Sequence, residues 1–494
     1  VTFTIHADQN AHAISKLIYG WNGGDPNGAQ KGITFSRSGG NRMTAYNWET
    51  NASNAGSDYL YENDTYLGGS TPLAVADTSL IQTALGGGAS ALVTIPIAGY
   101  VSADTNGPCD PHGGDINTRF FPTVAVKGSA FSTTPDLTDG KVYQDECVNY
   151  LKTQFPNAFA TTPAQVLFSM DNEPDLWSST HSEIHPAATQ PDELVQKDVE
   201  FAKAVKSVAP NALVTGFVSY GFEGYLTLQG TYSGSGWYTE YWLDQMQQAE
   251  TQAGFRVIDV LDLHWYPEAT GNGTRITGND TSSAVVQARI QAPRSLWDPN
   301  YNESSWIQQS LNGPIHLIPT LMSQIAQHYP GTKLGFTEYN YGAGGDISAG
   351  IAEADVLGIF GREGVFLASV WPLNSDESMN MAGISAYVNY DGNGGSFGDT
   401  SVEADTTDVT NSSVYASIDS GNPSRMVLVA INKASSTKTA AISLAAYGTY
   451  SSLSVYQLTA AGATLSSAAA VNATATNAFL YSMPAMSVSV LVPH

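Results

Sequence analysis

Between residues 17 and 373, short apolar runs bounded by Gly and Asn alternate with longer amphipathic stretches, and this repeat restricts the chain to few architectures. Strands are expected at Leu17–Asn22, Ile33–Ser38, Ala91–Tyr100, Val166–Met170, Ala212–Ser219, Val257–Trp265, Lys333–Tyr339 and Val365–Trp371. Helices are expected between most of them, at Lys141–Phe155, Asp192–Val208, Tyr238–Gln252, Ile315–His328 and Ser348–Arg362. Eight βα units over this length fit a (β/α)₈ TIM barrel with long loops. A doubly wound sheet is the rival. It would place a Gly-rich phosphate turn after the first strand, and Gly20-Trp21-Asn22-Gly23-Gly24 lacks that spacing.

After about residue 375 the pattern changes to period-two alternation, with strands expected at Arg425–Asn432, Thr437–Leu444, Ser452–Leu458 and Met486–Val492. That pattern predicts a smaller β-sandwich domain. The expected division is a catalytic barrel over 13–375 and a sandwich over 376–494, joined by an N-terminal strand within 1–12. All nine Trp lie at or before Trp371, so the second domain lacks indole platforms for sugars and reads as a structural partner of the barrel.

Lys and Arg number 20 against 45 Asp and Glu, a net charge of −25. Phosphate neutralisation needs the opposite balance, so neither nucleic acid nor an anionic membrane is an expected partner. No apolar run approaches the roughly 18 residues of a spanning helix. The composition and seven Asn-x-Ser/Thr sequons (Asn51, Asn63, Asn272, Asn279, Asn302, Asn411 and Asn472) fit a secreted, extracellular, monomeric protein. Cys109 and Cys147 are too few for a disulfide scaffold or a four-thiolate metal site; they can pair with each other or stand as buried free thiols.

In a barrel, catalytic groups project from the C-terminal strand ends. Here those ends read Arg37-Ser38-Gly39-Gly40-Asn41-Arg42, Asp171-Asn172-Glu173-Pro174, His264-Trp265-Tyr266-Pro267, Glu338-Tyr339-Asn340-Tyr341 and Trp371-Pro372. Glu173 and Glu338 thus stand at the ends of strands four and seven, able to face each other across the mouth. Glycoside hydrolysis needs such a pair, one acid to protonate the departing oxygen and one carboxylate to attack the anomeric carbon or activate water. Asn172 can bond a sugar hydroxyl, Arg37, His264 and Tyr266 can orient the nucleophile, and Trp371 can floor the pocket. Asn41 and Tyr339 complete the expected substrate-binding set, with Trp48, Trp177 and Trp265 as stacking faces for further sugar rings.

The segment from Arg37-Ser38-Gly39-Gly40-Asn41-Arg42 through Asn47-Trp48-Glu49 to Gly56, Asp171-Asn172-Glu173-Pro174 with Leu176-Trp177 and Thr180-His181 behind it, Thr337-Glu338-Tyr339, and Tyr390 to Val402 together resemble glycoside hydrolase family 44. The resemblance implies a (β/α)₈ barrel with a β-sandwich and retaining endo-hydrolysis of β-1,4-glucans, xyloglucan and cellulose derivatives included. Carried over by motif, Glu173 is the acid/base and Glu338 the nucleophile. No cofactor is implied for catalysis. A structural Ca²⁺ is also implied as an option, with Glu62, Asp64, Asp145 and Glu146 as oxygen donors. One departure stands out: Ser38 replaces a bulkier, often aromatic, family residue.

Other carboxylates near the same mouth, Asp171, Asp175, Asp262 and Glu268, are expected to support the pair rather than form it. His181-Ser182-Glu183-Ile184-His185 lacks the helical H-E-x-x-H arrangement of a zinc site, and Pro186 follows, so a loop is expected. Trp21, Trp242, Trp297 and Trp306 are read as structural or unassigned. The rival functions are a β-mannanase or xylanase of the same barrel class, a non-catalytic glycan binder, and a metal-dependent barrel hydrolase. The last would need a His-x-His on the first strand, which Leu17–Asn22 lacks.

Overall fold

Apolar and β-branched runs that are buried on both faces form the inner wall, as expected of a parallel sheet covered by helices. In the computed structural model, which describes all 494 residues, these strands are β1 (Gly20–Asn22), β2 (Phe35–Arg37), β3 (Ser90–Ile95), β4 (Val166–Met170), β5 (Val214–Ser219), β6 (Val260–Trp265), β7 (Lys333–Tyr339) and β8 (Leu367–Val370). Each pairs in parallel with the next, and β8 closes onto β1 through Ser369↔Gly20 and Val370↔Trp21. All eight expected strands are present, several shorter than the apolar run that announced them.

The barrel interior changes character along its axis. Toward the N-terminal ends Phe35, Leu92, Leu167, Val260 and Leu367 form a closed apolar cluster. Higher up, Asp262 accepts from Thr215 Oγ1 at 2.9 Å and Thr337 Oγ1 at 2.8 Å, and Asn22 donates to Thr337 O at 2.9 Å. The dry layer seals the bottom, and the polar layer fixes the strand ends that carry the chemistry.

The five expected helices are found at Gln144–Gln154, Pro191–Val208, Tyr238–Ala253, Leu317–His328 and Ile347–Glu363. Helices Val75–Gly86 and Ser283–Gln291 escaped the sequence reading. So did Ser378–Val388, which lies in the stretch read as strands. It packs against helix Ile347–Glu363 and the second domain, so apolar residues surround it and no amphipathic period marks it.

The second domain holds the four expected C-terminal strands and four more, Thr400–Thr406, Ser412–Asp419, Gly462–Ala475 and Ala478–Met483. Strand Thr2–His6 joins them, parallel to Lys438–Ala445 and antiparallel to Thr400–Thr406, so the sheet closes around a core of 20 residues. The two units share a tight seam. Ile347 through Gly361 are all buried, and a Cβ on Gly358 would stand 2.2 Å from the Tyr415 ring. Across this seam Lys433 Nζ donates to Asp355 Oδ2 at 2.6 Å and Tyr415 Oη to Asp355 Oδ1 at 2.7 Å. No helix is long and apolar enough to cross a membrane.

Two features that the sequence leaves open are decided by the fold. Cys109 and Cys147 are free, buried thiols rather than a disulfide. Asn51 and Asn63 are fully buried and bonded within the protein, so these two sequons present no acceptor for a glycan.

Candidate active site

Strand β2 ends in Arg37, whose guanidinium is fully buried and organises the barrel mouth. Its Nη1 donates to Glu338 Oε1 at 2.6 Å and to Asn22 Oδ1 at 3.1 Å, while Nη2 donates to Asn172 Oδ1 at 2.8 Å. One side chain thereby ties together the ends of β1, β2, β4 and β7. The Gly-Gly pair that follows is a steric requirement. A Cβ on Gly39 would sit 2.2 Å from the Arg37 guanidinium, and one on Gly40, at φ +84°, 2.7 Å from the Trp371 ring.

Glu338 is also reached from the other side, where Tyr266 Oη donates to its Oε2 at 2.8 Å. A carboxylate accepting from a guanidinium and a phenol is held rigidly. Glu173 lies at the end of β4 in the left-handed region, φ 44°, a conformation that costs a non-glycine residue about 1 kcal/mol or more and recurs at functional sites. Asp171 supports this turn by accepting from Thr44 Oγ1 at 2.6 Å and the backbone N–H groups of Ile97, Ala98 and Asn172.

His264 is fully buried between the two acids, with Nδ1 at 2.9 Å from Glu173 Oε1 and 3.5 Å from Glu338 Oε2. The acidic oxygens and the imidazole nitrogen all lie within 4.8 Å of one another. Burial raises the Glu173 carboxyl to about 7, opposed by the Arg37 charge and reinforced by Asp58. Burial also pushes the His264 imidazole down to about 4, against the pull of Glu338. Around neutrality the ring is uncharged, and the positive charge beside Glu338 comes from Arg37. The three groups are close enough to hold a cation, but that guanidinium already neutralises the site.

The mouth opens into a cleft of about 330 Å³. Asn41, Asn172, Glu173, Tyr266, Glu338 and Trp371 line it, while Arg37 and His264 lie beneath its floor. Asn172 Oδ1 also accepts from Gly40 N at 3.2 Å, which leaves its amide nitrogen as the donor for a ligand. Asp58, Tyr220, Arg275, Thr277 and Leu373 line the cleft as well and were not anticipated. Only Asp58, in the distinctive stretch after β2, stood near a signal that could have found it.

Four expected contacts are not in the cleft. Trp265 follows the inward-facing His264 and turns to Tyr341, to whose hydroxyl it donates at 3.2 Å. Tyr339 follows Glu338 and turns outward to Phe360 and Glu353. Alternation along a strand sends these neighbours to the opposite face. Trp48 packs on Tyr150, with its Nε1 donating to Tyr143 O at 3.2 Å. Trp177 lies beneath His185 and Lys197. All four rings are no more than 1% exposed, so none presents a stacking face.

The remaining carboxylates are bonded within the protein. Asp175 accepts from Ser219 Oγ and Tyr220 N, both at 3.0 Å, and Glu268 pairs with Arg275 at 2.8 Å. His181 bridges Glu183 and the Asn41 carbonyl, each at 2.7 Å, so it braces the cleft wall from behind. Of the suggested calcium donors, Asp64 pairs with Arg42 and Glu146 with Lys127, and no three of the four belong to a group of side chains gathered closely enough to hold an ion. They do not fit a shared cation site.

Comparison with known proteins agrees with this geometry. Residues 52–269 match the family model of glycoside hydrolase family 44. Endoglucanase A of Paenibacillus lautus is 43% identical over 506 residues, spanning 99% of this chain and 71% of that protein. The chain belongs to glycoside hydrolase family 44. A family 44 xyloglucanase of Paenibacillus polymyxa, solved with xyloglucan, superposes with a TM-score of 0.95 at 38% identity, covering 100% of this chain and 99% of that one. A beta-mannanase/endoglucanase A of Caldicellulosiruptor saccharolyticus is 40% identical over 88% of this chain but only 34% of its own length. As a family 44 member the protein is a glycoside hydrolase, and its paired acids stand at the mouth where the fold places catalysis.

Proposed function

We propose that the protein is a secreted, monomeric, retaining endo-β-1,4-glucanase that cleaves internal bonds of xyloglucan and soluble cellulose derivatives. The reading includes no catalytic metal and no redox cofactor. The observation that carries it is that one carboxyl oxygen of Glu173 and one of Glu338 lie within 4.8 Å of each other. Separations of about 5–5.5 Å accompany retention, whereas about 6.5–9.5 Å leaves room for the water of an inverting enzyme.

Glu338, held by Arg37 and Tyr266, attacks the anomeric carbon while Glu173 gives its proton to the leaving oxygen. The glycosidic bond breaks and an ester to Glu338 forms. Water then attacks the anomeric carbon, the bond from that carbon to Glu338 breaks, the water's proton passes to Glu173, and Glu338 is released as a carboxylate. The raised Glu173 keeps its proton below about pH 7. Neutral His264 can donate Nδ1–H to the carbonyl oxygen of protonated Glu173, leaving the acid's O–H for the substrate. The family relatives that act on xyloglucan and glucans support the substrate class.

The test is NMR of the first product anomer released from a xyloglucan oligosaccharide. The β-anomer is expected first, and an initial α-anomer would exclude the covalent route. A panel of xyloglucan, carboxymethyl-cellulose, mannan and xylan sorts the glucanase from its mannanase and xylanase rivals.

A further inference from the structure

The burial of Trp48, Trp177 and Trp265 leaves the groove without the stacking platforms expected for further sugar rings, yet a polymer must be gripped on both sides of the bond that breaks. Trp371 and Leu373 lie beyond β8, next to the nucleophile on β7. Nearest the acid the wall is formed by Tyr220, at the end of β5, while Arg275 and Thr277 lie in the loop after β6, between β5 and the nucleophile's β7. Tyr220 is 39% exposed, more than any other large aromatic lining the cleft. Its backbone N–H donates to Asp175 Oδ1 at 3.0 Å, and Asp175 lies two residues after Glu173 on the same turn. Ser219 Oγ holds the other oxygen of Asp175 at 3.0 Å. The turn that carries the acid therefore also fixes the aromatic residue, so their relative placement is built in.

Displacement at an anomeric carbon is in line, so the departing oxygen leaves on the side away from Glu338, toward Glu173 and the wall behind it. We propose that Tyr220 is the platform of a leaving-group subsite, where the departing sugar stacks and an incoming acceptor sugar can replace it. The proposal rests on the retaining reading above. With an acceptor bound, the same site supports glycosyl transfer. The acceptor hydroxyl attacks the anomeric carbon, the ester bond to Glu338 breaks, a new glycosidic bond forms, and the hydroxyl proton passes to Glu173.

The experiment compares Tyr220→Ala, Tyr220→Phe and Tyr220→Trp with the unaltered chain on two substrates. One is xyloglucan, whose leaving group is a sugar. The other is an aryl β-cello-oligoside, whose activated phenol needs no sugar-binding platform. In Tyr220→Ala the ratio of kcat/KM for xyloglucan to that for the aryl substrate should fall roughly tenfold, with Phe and Trp restoring it. The share of product formed by transfer to added cello-oligosaccharide should fall in parallel. An unchanged ratio, or proportional losses on both substrates, would overturn the assignment, the second outcome marking a structural role near Glu173. No turnover of either substrate by the unaltered chain would instead overturn the glucanase reading, and this proposal with it.

Discussion

At the barrel mouth Arg37 and Glu338 meet at 2.6 Å with side chains 0% and 5% exposed; at the seam between the domains Lys433 and Asp355 meet at the same 2.6 Å, each 1% exposed. By distance and burial the two pairs are nearly indistinguishable. Their surroundings separate them. At the seam Tyr415 takes up the other oxygen of Asp355, and no side-chain polar atom of the triad is buried without a partner. At the mouth Arg37 Nε and His264 Nε2 are both buried and unpartnered, and Glu338 looks into an open cleft. The seam pair joins two surfaces; the pair at the mouth holds a carboxylate that faces the cleft.

That contrast can be broken at either end. Glu338→Gln removes the proposed nucleophile while keeping an acceptor for Arg37, so on the proposed mechanism kcat on xyloglucan should fall on the order of 10⁴-fold with glucan binding largely retained. Full turnover in this variant would remove the assignment. Lys433→Met removes the cation and leaves the Asp355 carboxyl with only the Tyr415 hydroxyl as partner at the seam, which should cost about 3–5 kcal/mol of unfolding free energy with little change in activity per folded molecule. Adding Asp355→Asn should restore much of that stability, and a Lys433→Met chain that melts like the parent would refute the locking role.

The smallest effect sharpens the electrostatics of the mouth. Asp58 helps raise Glu173 to about 7, so Asp58→Asn lowers the proton affinity of the acid. In the proposed mechanism Glu173 works protonated, so the basic limb of the kcat/KM profile should move to lower pH. A limb that stays in place would mean that another group sets it.

Much of the barrel was legible because each parallel strand is buried on both faces and announces itself as an apolar run between turn residues. Helix Ser378–Val388 was not, since contacts on several sides erase the period that marks a surface helix. The site divides in the same way. Glu173 and Glu338 were legible because both stand at C-terminal strand ends, the rim that barrels use. The indoles of Trp48, Trp177 and Trp265 were placed wrongly. An aromatic near a strand end looks the same in sequence whether its ring faces the groove or the packing behind it. For Trp265 and Tyr339 the strand alternation was itself a warning, since each follows an inward-facing catalytic-site residue. Tyr220 follows the expected strand Ala212–Ser219 at that same rim, but the sequence does not mark its ring as an exposed one.

By itself, the order of residues determined the closed eight-stranded wall, the all-β second unit and the two acids at one rim, since these depend on local periodicity and on position along a strand. Only the tertiary structure decided how closely the acids approach, which aromatic rings meet solvent, and which buried charges are satisfied. Those quantities depend on side chains contributed by distant segments, and desolvation and hydrogen bonding act on neighbours in space rather than in sequence.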